Sequence, residues 1–238
     1  MRLDPGKDIQ IFLDYDGTLV PVQEDSTMTF ASQELLETLK ELDEKYDMWI
    51  VTGRTLESIE GFIGNKFKIV GLHGLVVHAK NGIDAMNPLL EKFRPELLEV
   101  LKRNTEIEMK FPGVRIRDKY GSVSYTTWGM SEEDICGLEA FLSGLASQYG
   151  MALYPGIRIF EIRIPGVNKG EAIRKLRDGN TALIIGDDLT DEDSFVYNPD
   201  AITVKVGQGE TQARFRLSGP EEVLMLLKEM AIYSPATS

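Results

Sequence analysis

The sequence predicts an α/β fold, a doubly wound parallel sheet that carries a smaller inserted α+β domain. Three observations predict it. Ile9–Leu13, Met48–Val51 and Ala182–Ile185 are short, near-continuous apolar runs, as expected of strands buried on both faces of a parallel sheet. They end in Asp14, in Thr52-Gly53 and in Gly186-Asp187-Asp188, and open α/β sheets place their ligands at such strand ends. Helical periodicity follows the runs, and alternating strands and helices are the pattern of a doubly wound sheet.

The elements follow in order. Ser32 is placed to N-cap a helix whose Leu35, Leu36, Leu39 and Leu42 share one face. Leu56, Ile59, Phe62 and Ile63 form a second stripe. The pattern then changes. Pro95–Arg103 reads as a helix opened by its proline, and Arg115–Trp128 as short β-prone pieces around Lys119-Tyr120-Gly121. Ser131 with Asp134 resembles a capping box opening a helix to about Tyr149. Ile157–Ile164 alternates in part as a strand. This stretch is expected as an α+β insert over 85–162, with 1–84 and 163–238 forming a discontinuous core. In the second half of the core, Asn168 can cap Gly170–Arg177, and Pro220 suits the first turn of a helix bearing Val223, Leu224, Leu227 and Met230.

Composition narrows the function. The 238 residues hold 26 Lys+Arg against 38 Asp+Glu, a net charge of −12. So acidic a chain repels phosphate backbones and anionic lipid, so neither nucleic acid nor a membrane is expected as a partner. A small phosphorylated substrate stays open, because local charge can differ from net charge. Cys136 is the single cysteine, which excludes an internal disulfide and a cysteine-based zinc site. Its apolar neighbours mark it as a small core residue. No apolar run reaches the ~18 residues of a membrane span, and residues 1–7 hold no stretch suited to a signal peptide. A cytoplasmic protein is expected, with a monomer favoured.

Four motifs carry chemistry. Asp14-Tyr15-Asp16-Gly17-Thr18-Leu19 directly follows an apolar strand. Asp14 and Asp16 share a face if the chain stays extended, and Gly17 lets the backbone turn. At ~4 Å and an effective dielectric of ~20, two carboxylates repel by about 4 kcal/mol, so a cation or a proton must offset the pair. The second motif, Gly186-Asp187-Asp188-Leu189-Thr190-Asp191-Glu192-Asp193, brings further carboxylates to another strand end. All-oxygen ligation of this kind suits Mg²⁺ and, less often, Mn²⁺ or Ca²⁺. The third, Asn168-Lys169-Gly170, sets a cation at a helix start, where it opposes the macrodipole unless it faces an anion. The fourth, Thr52-Gly53-Arg54, offers a hydroxyl and backbone N–H groups to phosphate oxygens. His73 reads as a packed turn residue. Tyr125 and Trp128 read either as a stacking surface for a sugar ring or as a hydrophobic patch.

In content and order, these motifs resemble those of the haloacid dehalogenase-type phosphatases, and beyond them the trehalose-phosphate phosphatase branch. Gly166-Val167-Asn168-Lys169-Gly170, Val204-Lys205-Val206-Gly207 and Thr211-Gln212-Ala213 also look like that branch. The resemblance covers roughly 8–82 and 160–232 and is weaker across the insert. It implies a Rossmann-like core, with the insert as a cap, and two-step phosphoryl transfer. Asp14 would be the nucleophile and Asp16 the acid and base. Thr52 and Lys169 would bind the phosphoryl group, with the backbone N–H groups of Tyr15 and Gly53 as helpers. Asp14, the Asp16 carbonyl and Asp187 would hold Mg²⁺, with Asp188 and Asp191 as further or outer ligands. In the cap, Lys119, Ser122, Gly156 and Glu161 match sugar- or phosphate-contacting positions. Leu72 stands where the branch has an acid, and Thr126-Thr127-Trp128 where it has His-Tyr-Arg. The resemblance thus implies a Mg²⁺-dependent phosphatase of a phospho-sugar, with trehalose 6-phosphate favoured. Another phospho-sugar such as sucrose phosphate, a sugar phosphomutase and a non-catalytic sugar-phosphate sensor stay open.

Overall fold

The computed structural model describes residues 9–79, 83–177 and 179–232. Residues 1–7, examined above for a leader, lie outside this range. The chain divides into two compact units, one of Met1–Ala85 with Asn168–Ser238, the other of Met86–Val167. The first half of unit one runs β1 (Ile9–Leu13), α1 (Gln33–Lys45), β2 (Asp47–Val51), α2 (Leu56–Ile63), β3 (Lys68–Gly71), β4 (Val76–Ala79) and β5 (Ile83–Met86). Unit two holds α3 (Leu89–Leu101), α4 (Asn104–Lys110), β6 (Arg115–Asp118), β7 (Ser122–Thr126), α5 (Glu132–Gln148), β8 (Ala152–Gly156) and β9 (Ile159–Arg163). Unit one resumes with α6 (Lys169–Leu176), β10 (Thr181–Gly186), α7 (Leu189–Tyr197), β11 (Ile202–Val206), β12 (Phe215–Leu217) and α8 (Pro220–Ile232).

Among the described residues, unit one is built on a sheet of order β12-β11-β10-β1-β2-β3-β4-β5. From β12 to β3 the pairs are parallel; β4 joins antiparallel. Successive side chains leave opposite faces of a strand, and both faces here are buried. Ile11 and Leu13 join Leu35, Leu39, Ile59, Val223 and Leu227 on one side, under α1, α2 and α8. Phe12 joins Ile173 and Phe195 on the other, under α6 and α7. Continuous apolar strands follow from this double burial. The chain winds from β1 toward β2 on one side and meets β10 on the other, so β1 flanks the switch point where such sheets bind ligands.

Unit two is an antiparallel sheet of order β6-β7-β9-β8, with α3 packed on β7 and α5 on β8 and β9. Two expectations are corrected here, and one open alternative is decided. The helix expected to begin at Pro95 begins at Leu89 and carries Pro95 inside. Asn87 Oδ1 accepts from Leu89 N at 3.0 Å, and burial of Leu90 with Leu97 and Val100 outweighs the one helical bond that proline forfeits. Cys136 is exposed, because α5 buries the opposite face through Leu138, Leu142 and Leu145. Tyr125 is fully buried, so it belongs to the unit's core and offers no stacking surface.

Candidate active site

Strand register assembles the site. Leu13 is level with Ile185 on β10 and with Ile50 on β2. Asp14 therefore leaves β1 beside the ends of both neighbours, and its N–H donates to Ile185 O at 3.0 Å. Gly17 turns the chain with φ +86°, and a Cβ there would lie 2.1 Å from Asp187 Oδ2. Only glycine permits this approach of the two acidic loops.

Lys169 opens α6 behind the Asn168 cap and is buried. Its Nζ donates to Asp14 Oδ1 at 2.6 Å and to Asp191 Oδ1 at 2.9 Å. The expected anion facing this helix start is thus a pair of carboxylates. Burial works against the ammonium, but Asp14, Asp191 and Asp188 outweigh it and hold Lys169 protonated, well above the usual lysine range. Burial pushes the Asp14 and Asp191 carboxyls up, against the pull of Lys169.

Asp14, Asp187 and Asp191 each bring one carboxylate oxygen within 4.8 Å of the others. Burial, then Asp191 and Asp188, push Asp187 up to about 7. Three crowded, hard oxygen donors, two of them buried and the third half-buried, are the chemistry that a divalent cation such as Mg²⁺ satisfies. The oxygens are not equivalent, however. Asp191 Oδ2 accepts from the N–H groups of Asp187 at 3.0 Å and Asp188 at 3.2 Å. With Oδ1 on Lys169, Asp191 is engaged at both oxygens and clamps the loop. Asp188 caps α7, its Oδ1 accepting from Thr190 N at 2.8 Å and Asp191 N at 3.2 Å. Burial opposes its ionisation, but Lys169 and the bonds from Thr190 and Asp191 hold it down at about 2. Asp14 and Asp187 remain as the carboxylates best placed for a metal. Thr18 Oγ1 steadies Asp187 Oδ1 at 3.1 Å, and buried Lys205 on β11 donates to the Asp187 carbonyl.

The other expected residues fall as follows. Thr52 is buried at the end of β2, and its Oγ1 accepts from Arg54 N at 3.1 Å. A Cβ on Gly53 would lie 2.4 Å from the His73 ring, so His73 packs on the glycine as a turn residue. The Tyr15 side chain turns into the core, its hydroxyl donating to Thr29 O at 2.6 Å; only its backbone is left for a ligand. Asp16 lies in a bidentate pair with Arg54, Nε to Oδ2 at 2.6 Å and Nη2 to Oδ1 at 2.5 Å. Arg54 also donates to Ser26 O and Thr29 Oγ1, at 2.9 and 2.7 Å. Sequence reasoning missed this grip: Arg54 stood in the Thr52 motif, but no spacing rule aims it at a residue 38 positions away. In unit two, Glu161 Oε1 accepts from Lys119 Nζ and Ser122 Oγ, both at 2.8 Å, so these three form one polar cluster in which Ser122 and Glu161 are buried and Lys119 half-buried.

The mostly parallel sheet with this strand order, with an aspartate paired to a lysine beside its switch point, is an architecture shared with haloacid dehalogenase-like hydrolases. A haloacid dehalogenase-like hydrolase from Bacteroides thetaiotaomicron shares the fold at TM-score 0.67 and 15% identity, over 94% of this chain and 100% of that one. The chain belongs to the trehalose-phosphatase family, whose sequence model matches residues 12–221, and is a phosphoric monoester hydrolase. It is 38% identical over 218 residues to the trehalose-6-phosphate phosphatase-related protein of Thermoplasma acidophilum, across 92% of this chain and 95% of the relative. It is 28% identical over 249 residues to the probable trehalose-phosphate phosphatase E of Arabidopsis thaliana, across 94% and 70%. A crystal structure of a trehalose-6-phosphate phosphatase related protein matches at TM-score 0.86 and 37% identity, covering 94% of this chain and 97% of that one. Among the described residues no helix is long and apolar enough to cross a membrane.

Proposed function

We propose that this protein is a Mg²⁺-dependent phosphatase that converts trehalose 6-phosphate to trehalose and phosphate through an aspartyl-phosphate. The observation that carries the reading is the buried Lys169 bridge between Asp14 and Asp191, beside Asp187, in a chain of this family. Asp14 attacks phosphorus and the bond to the sugar oxygen breaks. Asp16 gives that oxygen its proton, then takes one from the water that cleaves the aspartyl-phosphate and releases phosphate. For either step the Asp16 carboxyl must leave Arg54, so the Arg54 pair holds it in a resting position. Lys169 and Thr52, with the N–H groups of Tyr15 and Gly53, hold the phosphoryl oxygens where charge accumulates. Asp14, the Asp16 carbonyl and Asp187 are the residues that would hold Mg²⁺. When bound, that ion neutralises charge between the nucleophile and the phosphoryl group. Asp191 and Asp188 shape the loop around it. The second unit is assigned as the cap, with sugar recognition at Lys119, Ser122 and Glu161.

The test is phosphate release with Mg²⁺, and with EDTA as control. The substrates are trehalose 6-phosphate, sucrose 6-phosphate, glucose 6-phosphate, mannose 6-phosphate and p-nitrophenyl phosphate. Selective turnover of trehalose 6-phosphate supports the proposal. Preference for another phospho-sugar moves the substrate and keeps the chemistry, and no Mg²⁺-dependent release from any of them overturns both.

A further inference from the structure

One buried cation stands apart from the residues so far given a role. Arg163 ends β9 and is 4% exposed. Its cross-strand neighbours are Ser122 on β7 and Ala152 on β8, both too small to cover its long stem. Instead the guanidinium lies over the Tyr154 ring, 3.5 Å from the centroid. Stacking occupies the face of the guanidinium and leaves the N–H groups along its edge to be satisfied in the plane. Two of its nitrogens, Nε and Nη1, make no hydrogen bond. The nearest carboxylate oxygen, Glu161 Oε2, is 4.0 Å from Nη1, beyond hydrogen-bond length.

Arg163 and Glu161 are two residues apart on one strand, so they share a face of the sheet. Ser122 and Ser124, their partners on β7, lie on that face too. Val123 and Tyr125, level with Ile162 and Phe160, lie on the opposite, apolar face. Rigid, unmet N–H donors buried beside a carboxylate have a definite chemical preference. A second phosphate would meet the nearby Glu161 charge. Sugar hydroxyls fit both groups, each able to accept from a guanidinium N–H and to donate to the carboxylate. Buried guanidinium donors left unmade are costly, and a sugar completes them.

We propose that Arg163 is a specificity-determining residue whose Nε and Nη1 donate to separate hydroxyls of the substrate's sugar, with Glu161 as an acceptor beside Nη1. The proposal rests on the phospho-sugar reading above and adds a recognition residue to it. It is tested by steady-state kinetics of Arg163→Met and Arg163→Lys. The substrates are trehalose 6-phosphate and p-nitrophenyl phosphate, an ester with no sugar. Loss of one or two charge-assisted bonds predicts that Arg163→Met raises KM for trehalose 6-phosphate about 10- to 100-fold. The aryl-ester kcat/KM stays within about twofold, which also shows that the variant is folded. Arg163→Lys keeps the charge without the fork and recovers only part of the loss. If Arg163→Met does not fold, Arg163→Lys carries the test with the same split between substrates. Equal loss on both esters means a structural role and overturns the proposal, as does an unchanged KM in both variants. Wild-type protein that cleaves the aryl ester and no phospho-sugar overturns instead the reading on which the proposal rests.

Discussion

Replacing Lys169 by methionine keeps the length of the side chain and removes its charge. Lys169 is 2% exposed and bridges Asp14 and Asp191, which are 6% and 2% exposed. Without it two buried carboxylates face each other within 4.8 Å. At an effective dielectric of ~20 their repulsion is about 3.5 kcal/mol. The alternative is to protonate one, which at pH 7.5 costs about 5 kcal/mol from an ordinary aspartate value near 3.9. The two routes bracket the loss, and removing one partner of a buried pair typically costs about 3–5 kcal/mol. The sign with pH follows from burial, which already sets Asp14 and Asp191 above the ordinary range. Groups raised on folding are least costly in acid and cost stability as pH rises through the folded-state value. At pH 4.5 the proton costs only about 1 kcal/mol, so the deficit of the variant shrinks to that size. The assay is urea unfolding of both proteins in EDTA at pH 7.5 and 4.5. A deficit under about 1 kcal/mol at pH 7.5, or an equal deficit at both pH values, refutes the reasoning.

Asp14→Asn is expected to abolish turnover while matching or exceeding wild-type stability. It removes a buried carboxylate and leaves Lys169 paired to Asp191; a normal rate, or a loss above about 2 kcal/mol, contradicts it. Asp16→Asn is expected to slow both chemical steps, seen as reduced kcat in single-turnover and steady-state assays. Gly17→Ala puts a methyl 2.1 Å from Asp187 Oδ2 in a positive-φ turn; it is expected to lower Mg²⁺ affinity in calorimetry by about tenfold or more, and an unchanged affinity counts against the loop contact. Because Asp187 titrates near 7 and must ionise to bind a cation, Mg²⁺ affinity is expected to fall about tenfold per pH unit below 7 and to level off above 8. Titration calorimetry at pH 5.5 to 8.5 checks this, and a flat profile contradicts it.

Much of this molecule is legible in its sequence because the signals are local. Double burial makes a strand apolar throughout, so β1, β2 and β10 stand out as runs. A capping side chain lies within three residues of the N–H it serves, so Ser32, Ser131 and Asn168 announce their helices. The reactive residues sit at strand ends, so their positions along the chain point to one edge of the sheet. Relatives supplied the family, and the motifs had already pointed to it.

What the sequence by itself determined, then, is the set of elements, their alternation and the residues at the strand ends. The tertiary structure decided which of those residues meet. Lys169 reaches Asp14 across 155 positions, through the β1–β10 register that no local pattern encodes. The same register leaves Asp187 beside Asp14, and the β1–β2 register sets Arg54 on Asp16. Arg163 shows the difference most plainly. In sequence it is one more cation on a strand, but two small cross-strand neighbours and the Tyr154 ring make it a buried guanidinium with unmet donors. Periodicity and capping act over a few residues, whereas a pairing between distant charges exists only once the sheet has set their distance and removed the water between them.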